Sequence, residues 1–183
     1  GPEKSPVLGL AFGASATVDR RAIAELEFRS PGFRFLSDLE PESAEQTPFF
    51  EGGPKRGLGR DRGPAKDGIL RVGSSTYRRG LAISAASTVV FDLGGRFARL
   101  TANVGVDPGT RDAEVPGSVR LRILGDDGEL WAANLLRAGD EPKRVEIEGL
   151  KHVKKLTIVA EFADSGPSGA FAILGDALLR ADG

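Results

Sequence analysis

The most constraining feature of this chain is a strict alternation of side-chain character. Ala98, Leu100, Ala102, Val104 and Val106 fall on one side of an extended segment, and Arg99, Thr101 and Asn103 fall on the other. Successive side chains of a β-strand point to opposite faces, so this pattern predicts a strand with one buried and one solvated face. The pattern recurs. Val119, Leu121 and Ile123 alternate with Arg120 and Arg122, and Val145 and Ile147 alternate with Arg144, Glu146 and Glu148. Leu156, Ile158, Ala160 and Phe162 form one face of a further strand, and a last apolar run lies between Phe171 and Leu179. Gly125-Asp126-Asp127-Gly128 between two of these segments is a hairpin signal. Antiparallel sheets with one wet face read this way, and strands separated by turn signals predict an all-β antiparallel sandwich, with a jelly roll as one way of building it. Strand order is not encoded in the alternation.

Composition agrees with a turn-rich fold. The 25 glycines and 11 prolines make up about a fifth of the 183 residues, against roughly 12% in average usage. The 25 basic and 26 acidic residues leave a formal charge of −1, so no overall field directs the chain to nucleic acid. No apolar run approaches the ~20 residues of a spanning helix, and no membrane insertion is expected. Absence of cysteine removes disulfides, thiolate metal sites and cysteine nucleophiles together. Methionine is absent too, and the opening Gly1-Pro2 reads as a scar of tag removal, which leaves room for a signal peptide or neighbouring domains cut away.

The stretch Ser75 to Gly95 reads as consecutive strands: Tyr77 follows a turn at Ser74 and Ser75, Gly80 precedes an apolar segment, and Val89 to Leu93 ends at Gly94-Gly95. Upstream, Val7 to Ala14 is apolar. Ala22, Ala24, Leu26 and Phe28 alternate with Ile23, Glu25 and Glu27, as in a half-buried strand, with a short helix at 18–27 as the competing reading. After the turn signal Ser30-Pro31-Gly32, Phe33 and Phe35 mark another brief strand. Residues 1–32 are therefore expected to be an extension or extra strands, and 33–183 the sandwich module. Between Thr47 and Gly68 the chain is dense in Gly, Pro, Lys and Arg, and reads as a long loop. Lys55, Arg56, Arg60, Arg62 and Lys66 lack interleaved aromatics, so a solvated loop is favoured over a nucleic-acid contact. Gly57, Gly59 and Gly63 are followed by neither Lys-Ser nor Lys-Thr and by no strong helix, so the signal for a phosphate-binding loop is too weak to carry a nucleotide hypothesis.

The residues DGILRVGSSTYRRGLAISAASTVVFDLGGRFARLTANVGVD, then GSVRLRILGDDGELW, then GDEPKRVEIEGLKHVKKLTIVAEF, together resemble the NPCBM family, the novel putative carbohydrate-binding modules found beside bacterial glycoside hydrolases. FRFLSDLEP and GDALL fit the same pattern, so the resemblance runs from about Phe33 to Leu179. It implies a galactose-binding-domain-like jelly roll that binds galactose-type sugars through edge loops, as an accessory module of a larger exported protein. Tyr77, Gly80, Leu81, Ser87, Asp92, Leu93 and Gly94 match the family. Ser84 stands where the family tends to have histidine. An Asp-His-x-Asp-Trp-Ala-Asp-Ala run is replaced by Ala170-Phe171-Ala172-Ile173-Leu174-Gly175-Asp176-Ala177, keeping the last Asp-Ala.

Sugar sites need fixed donors and acceptors for hydroxyls and usually an aromatic face for the ring. The candidates are Tyr77, Arg78, Arg79, Ser84, Phe171 and Asp176. Phe171 supplies a ring, although Phe in an apolar run defaults to core. Trp131, in a strand, is read as packing, and His152 among lysines as a surface residue. Asp107, Asp112 and Glu114 are weak candidates for a structural calcium site, interrupted by Pro108 and Arg111. Zinc is excluded because His152 has no nitrogen or sulfur companion, and no other cofactor is expected. With a single histidine, no nucleophile elbow and carboxylates spread over turns and polar strand faces, the chain is read as non-enzymatic. The leading partner is a glycan or polysaccharide, possibly alongside neighbouring domains of the same polypeptide. A structural or protein-interaction domain that has lost sugar binding is the alternative.

Overall fold

A computed structural model describes the backbone of 7–9 and 15–17 and residues 32–51, 53, 55–126, 128–167 and 169–181. The chain divides into two units, Gly1–Ser30 and Pro31–Gly183. In the first, β1 (Val7–Gly9) pairs antiparallel with β2 (Ser15–Thr17). The strand or helix expected at 18–28 lies outside the described residues.

The second unit contains β3 (Phe33–Phe35), β4 (Ser43–Gln46), β5 (Gly59–Arg60), β6 (Leu70–Val72), β7 (Ser75–Tyr77), β8 (Gly80–Ser84), β9 (Ser87–Asp92) and β10 (Arg99–Val106). It continues with β11 (Ser118–Gly125), β12 (Gly128–Arg137), β13 (Lys143–Glu148), β14 (Lys155–Phe162) and β15 (Phe171–Arg180). One sheet runs β13-β10-β15-β8-β5, with β3 also on β15, and the other runs β12-β11-β14-β9-β4. Strands β8, β10, β13 and β15 belong to the first sheet, while β9, β11, β12 and β14 belong to the second. The chain therefore crosses repeatedly between two antiparallel sheets, which is the jelly-roll form of the sandwich.

The alternation decides which side chains fill the space between sheets. Leu100, Ala102, Val104 and Val106 of β10 are fully buried, as are Leu121 and Ile123 of β11 and Leu156, Ile158 and Ala160 of β14. They meet Phe91, Leu136, Leu174 and Leu179 in one apolar cluster. The predicted hairpin joins β11 to β12, with Gly125 opposite Gly128. Trp131 packs partly buried against this core, and His152 is exposed in a turn.

A second, smaller cluster forms on the outer face of the first sheet. The β6–β7 hairpin lays Leu70 and Val72 over Ala82 and Ile173, with Tyr77 packed beside them. An apolar residue on the outer face of β15 is thus covered by a hairpin instead of facing water.

Candidate functional site

The candidate edge is built where β8 ends and β15 begins. Ser84 lies directly opposite Phe171 in the ladder, and the Ala85 N–H donates to the Ala170 carbonyl at 2.9 Å. Segment 47–68 crosses beside this edge. Contrary to its reading as a loop throughout, it contributes β5, whose Gly59 and Arg60 pair with Ala82 and Leu81. Arg60 donates to the Ser37 carbonyl at 2.9 Å and pairs with Glu40, so this arginine is an anchor and not a solvated charge. Gly63 explains part of the glycine density. A Cβ there would stand 2.1 Å from the Ile69 carbonyl oxygen, so only glycine lets the chain fold back this closely.

Two adjoining concavities result. The larger, about 400 Å³, is lined by Arg56, Gly57, Leu58, Gly59, Arg62, Gly63, Pro64, Ala82 and Phe171. The smaller, about 130 Å³, is lined by Gln46, Pro48, Phe49, Phe50, Gly53, Arg56, Ser84, Ala85, Phe162, Pro167, Ala170 and Phe171. Arg56 and Phe171 are the wall they share, with the guanidinium 5.5 Å from the ring centroid. Phe49 meets Phe50 edge-on at 4.9 Å and Phe162 at 5.2 Å. Phe49 and Phe50 are 52% and 68% exposed, an arrangement a core aromatic does not adopt. Gln46 ties the parts together: its amide nitrogen donates to Ser84 Oγ at 2.9 Å, and its amide oxygen accepts from the Arg56 N–H at 2.6 Å. The edge therefore offers aromatic faces, amide and hydroxyl groups, and a positioned cation in one place. Concavities of about 410 Å³ beside Arg99 and Glu148 and about 460 Å³ beside Glu42 and Lys155 have no aromatic lining.

The six candidate sugar-contact residues separate into two groups. Ser84 and Phe171 sit at the edge just described. The hydroxyl of Ser84 is buried and also donates to the Ala85 carbonyl at 3.1 Å, so its bonds support Gln46. Tyr77, Arg78, Arg79 and Asp176 gather near the start of β8, four residues or about 13 Å along the strand from Ser84. The Tyr77 ring lies flat on Gly175, where a Cβ would stand 2.4 Å from the ring. Burial raises the pKa of its phenol, a bond with Ser75 opposes this, and the Asp176 and Glu141 carboxylates add to the rise. Arg79 pairs with Asp38 and, at 3.2 Å, with Asp61, while its guanidinium covers the Phe35 ring at 4.8 Å. Arg78 is exposed. Asp176 has φ 47° beside a register shift between β10 and β15, and its N–H donates to the Arg79 carbonyl at 2.9 Å.

The calcium candidates do not converge. Asp107 caps a 3-10 turn by accepting from the Gly109 N–H at 3.0 Å, Asp112 pairs with Arg111 at 3.3 Å, and Glu114 is exposed. Among the described residues, no group of three or more His, Asp or Glu is placed to hold a metal ion. Nor is any helix among them long and apolar enough to cross a membrane.

Gln46, Phe49, Phe50, Arg56 and Phe162 were missed by reading the sequence. The adjacent Phe49-Phe50 pair, just upstream of the basic run, was the available signal.

The model of the NPCBM/NEW2 domain matches residues 33–180. This chain belongs to the NPCBM/NEW2 family. Solved structures with the same fold include the CBM51-2 and INT domains of Clostridium perfringens ZmpB, with TM-score 0.68, 23% identity, and 81% of this chain and 31% of that one covered. The same pair with CBM51-2 in complex with GlcNAc gives 0.68, 20%, 97% and 38%. The CBM51 from Clostridium perfringens GH95 in complex with methyl-galactose gives 0.66, 22%, 81% and 99%. The chain thus spans less than half of the ZmpB structures and nearly all of the GH95 module. No curated protein matches. Carbohydrate-binding modules such as these are non-catalytic. In this NPCBM/NEW2 domain the replaced run is structural in its centre: Ala170, Ile173 and Leu174 are buried, with Ile173 in the outer cluster and Leu174 in the main core.

Proposed function

We propose that this NPCBM/NEW2 domain is a non-catalytic carbohydrate-binding accessory module of a larger exported protein, and that it engages a galactose-type or related glycan at the Phe171 edge. The observation that carries the reading is the shared wall of Arg56 over Phe171, flanked by the exposed Phe49 and Phe50 rings and the Gln46 amide. Ring faces take the C–H surface of a sugar, and fixed polar groups select its hydroxyls. The methyl-galactose and GlcNAc complexes of its structural neighbours support a small saccharide as ligand class. In this reading Ser84 and Phe171 belong to the site, while Tyr77 and Arg79 hold the turn that enters β8.

A glycan array followed by calorimetry with methyl-galactose, GlcNAc and the array's best binders tests this. Saturable binding is expected, weakened about tenfold or more in Phe171→Ala, which corresponds to about 1.4 kcal/mol. Absence of binding to every glycan, or an unchanged affinity in Phe171→Ala, refutes it. The exposure of Phe49 and Phe50 favours a second reading, a protein-docking face. That reading expects Phe50→Ser to abolish binding to a neighbouring domain while sugars have no effect.

A further inference from the structure

The charges around this edge include two arginines in a concavity whose lining has an aromatic ring and no carboxylate. Arg60 meets Glu40, Arg71 meets Asp67 at 2.8 Å, Arg99 meets Glu148 at 2.6 Å, and Arg137 meets Asp164 at 2.5 Å. Arginine beside carboxylate is therefore common in this domain, though Arg34, Arg96, Arg120 and Arg180 have no ion pair among the described residues. The two arginines that line the larger concavity, Arg56 and Arg62, also depart from it. No Asp or Glu is among the lining residues of either concavity, and neither guanidinium has an ion-pair partner among the described residues. Arg60, between them in sequence, is the one turned away and neutralised.

The chain as a whole has a formal charge of −1, so two uncompensated cations at one rim are not the by-product of a basic protein. Arg56 is also held in place, its backbone by the main-chain N–H donated to Gln46 at 2.6 Å and its guanidinium by the Phe171 ring. A guanidinium stacked on a ring keeps its N–H edge free, and its planar fork matches a carboxylate or sulfate bidentately. Because the group is already ordered, little rotamer entropy remains to be lost on binding.

We infer that the preferred glycan at this edge carries an anionic group, a carboxylate or a sulfate ester on the galactose-type sugar, received by Arg56 and Arg62 while Phe171 takes the sugar face. This rests on the carbohydrate reading above and adds the ligand's charge to it. A nucleic acid shares the anionic chemistry, but the balanced charge of the chain and a concavity that sets two arginines beside one ring favour a single anionic sugar over a polyanion.

Calorimetry on the full chain compares galactose, galacturonic acid and galactose 6-sulfate with oligomers of each, at low and at 0.5 M salt, for the native chain and for Arg56→Gln, Arg62→Gln and Phe171→Ala. A single-stranded oligonucleotide is the fourth probe. At least one acidic sugar is expected to bind about tenfold or more tightly than neutral galactose, with the ratio shrinking at high salt. The carboxylate and sulfate arms show which group is received. Arg56→Gln and Arg62→Gln should each bring the acidic-to-neutral ratio towards one without lowering the melting temperature, whereas Phe171→Ala should weaken both sugars alike. Equal affinity for neutral and acidic sugars overturns the inference and leaves the carbohydrate reading standing, as does a preference that survives in both arginine variants. Failure of every sugar to bind overturns both. An oligonucleotide that outcompetes every acidic sugar overturns the inference in favour of nucleic acid.

Discussion

Gly175→Ala is expected to destabilise this domain through one identifiable contact. The new Cβ would stand 2.4–2.5 Å from three atoms of the Tyr77 ring, against about 3.5–4.0 Å for an unstrained carbon pair. The ring must therefore retreat by about 1 Å, lifting off the cluster of Leu70, Val72, Ala82 and Ile173. Overpacking of this kind costs about 1–3 kcal/mol. At about 2–4 °C per kcal/mol for a domain of this size, a loss of 4–8 °C in melting temperature is expected for the middle of that range, roughly 2 kcal/mol. Tyr77→Ala removes the obstruction. In that background Gly175→Ala should become neutral or slightly stabilising, because Gly175 is not among the glycines with positive φ and alanine narrows the unfolded ensemble by about 0.4–1 kcal/mol. Scanning calorimetry on the four proteins closes a double-mutant cycle with a coupling of about 2 kcal/mol. Additive effects, within about 0.5 kcal/mol, would show that Tyr77 does not rest on Gly175 and would return its ring to the list of sugar platforms.

Three further outcomes follow from named groups. Burial raises the Asp107 pKa, so the folded state holds this proton more tightly than the unfolded one, and the group's penalty grows as pH rises from the unfolded value through the folded one. Asp107→Asn, which keeps an acceptor for Gly109, should therefore melt higher than the native domain at pH 7, and the gap should close below pH 4. A constant gap would contradict the burial. The Arg71 guanidinium, which donates through both terminal nitrogens to Asp67, is the main cause holding that carboxyl at about 2. Carboxyl carbon shifts followed by NMR should show this, and Arg71→Gln should move the titration up towards the ordinary 3.8. Ser118 is fully buried, with its Oγ 2.5 Å from Asp164 and 2.9 Å from Ser165. Ser118→Ala leaves those partners short of a bond and should cost about 1–3 kcal/mol in urea denaturation.

Much of the architecture was legible because side-chain period is a local property. The alternation in β10, β11 and β14 names the residues that are now fully buried between the sheets, and Gly125 to Gly128 marks the hairpin that joins β11 to β12. Segment 47–68 reads as loop in sequence because a two-residue strand leaves no period to detect. Only pairing with β8 makes β5 a strand. In sequence Tyr77 reads equally as a sugar platform or a packing residue, and only the tertiary structure shows its ring packed over Gly175.

The candidate site was less legible. Its rings and polar groups come from Gln46, Phe49 and Phe50, from Arg56, from Ser84, and from Phe162 and Phe171. In one dimension a pair of phenylalanines before a glycine-rich stretch has the same appearance whether it fills a core or stands at a rim. The sequence by itself determined the long strands, their inner faces, the Gly125 to Gly128 turn and the family, because each is written in neighbouring residues. Which of two sheets each strand joins, which charges are cancelled and which two arginines line one concavity beside Phe171 were decided by the tertiary structure. Those properties depend on segments more than a hundred residues apart meeting at one sheet edge, and no local pattern encodes that meeting.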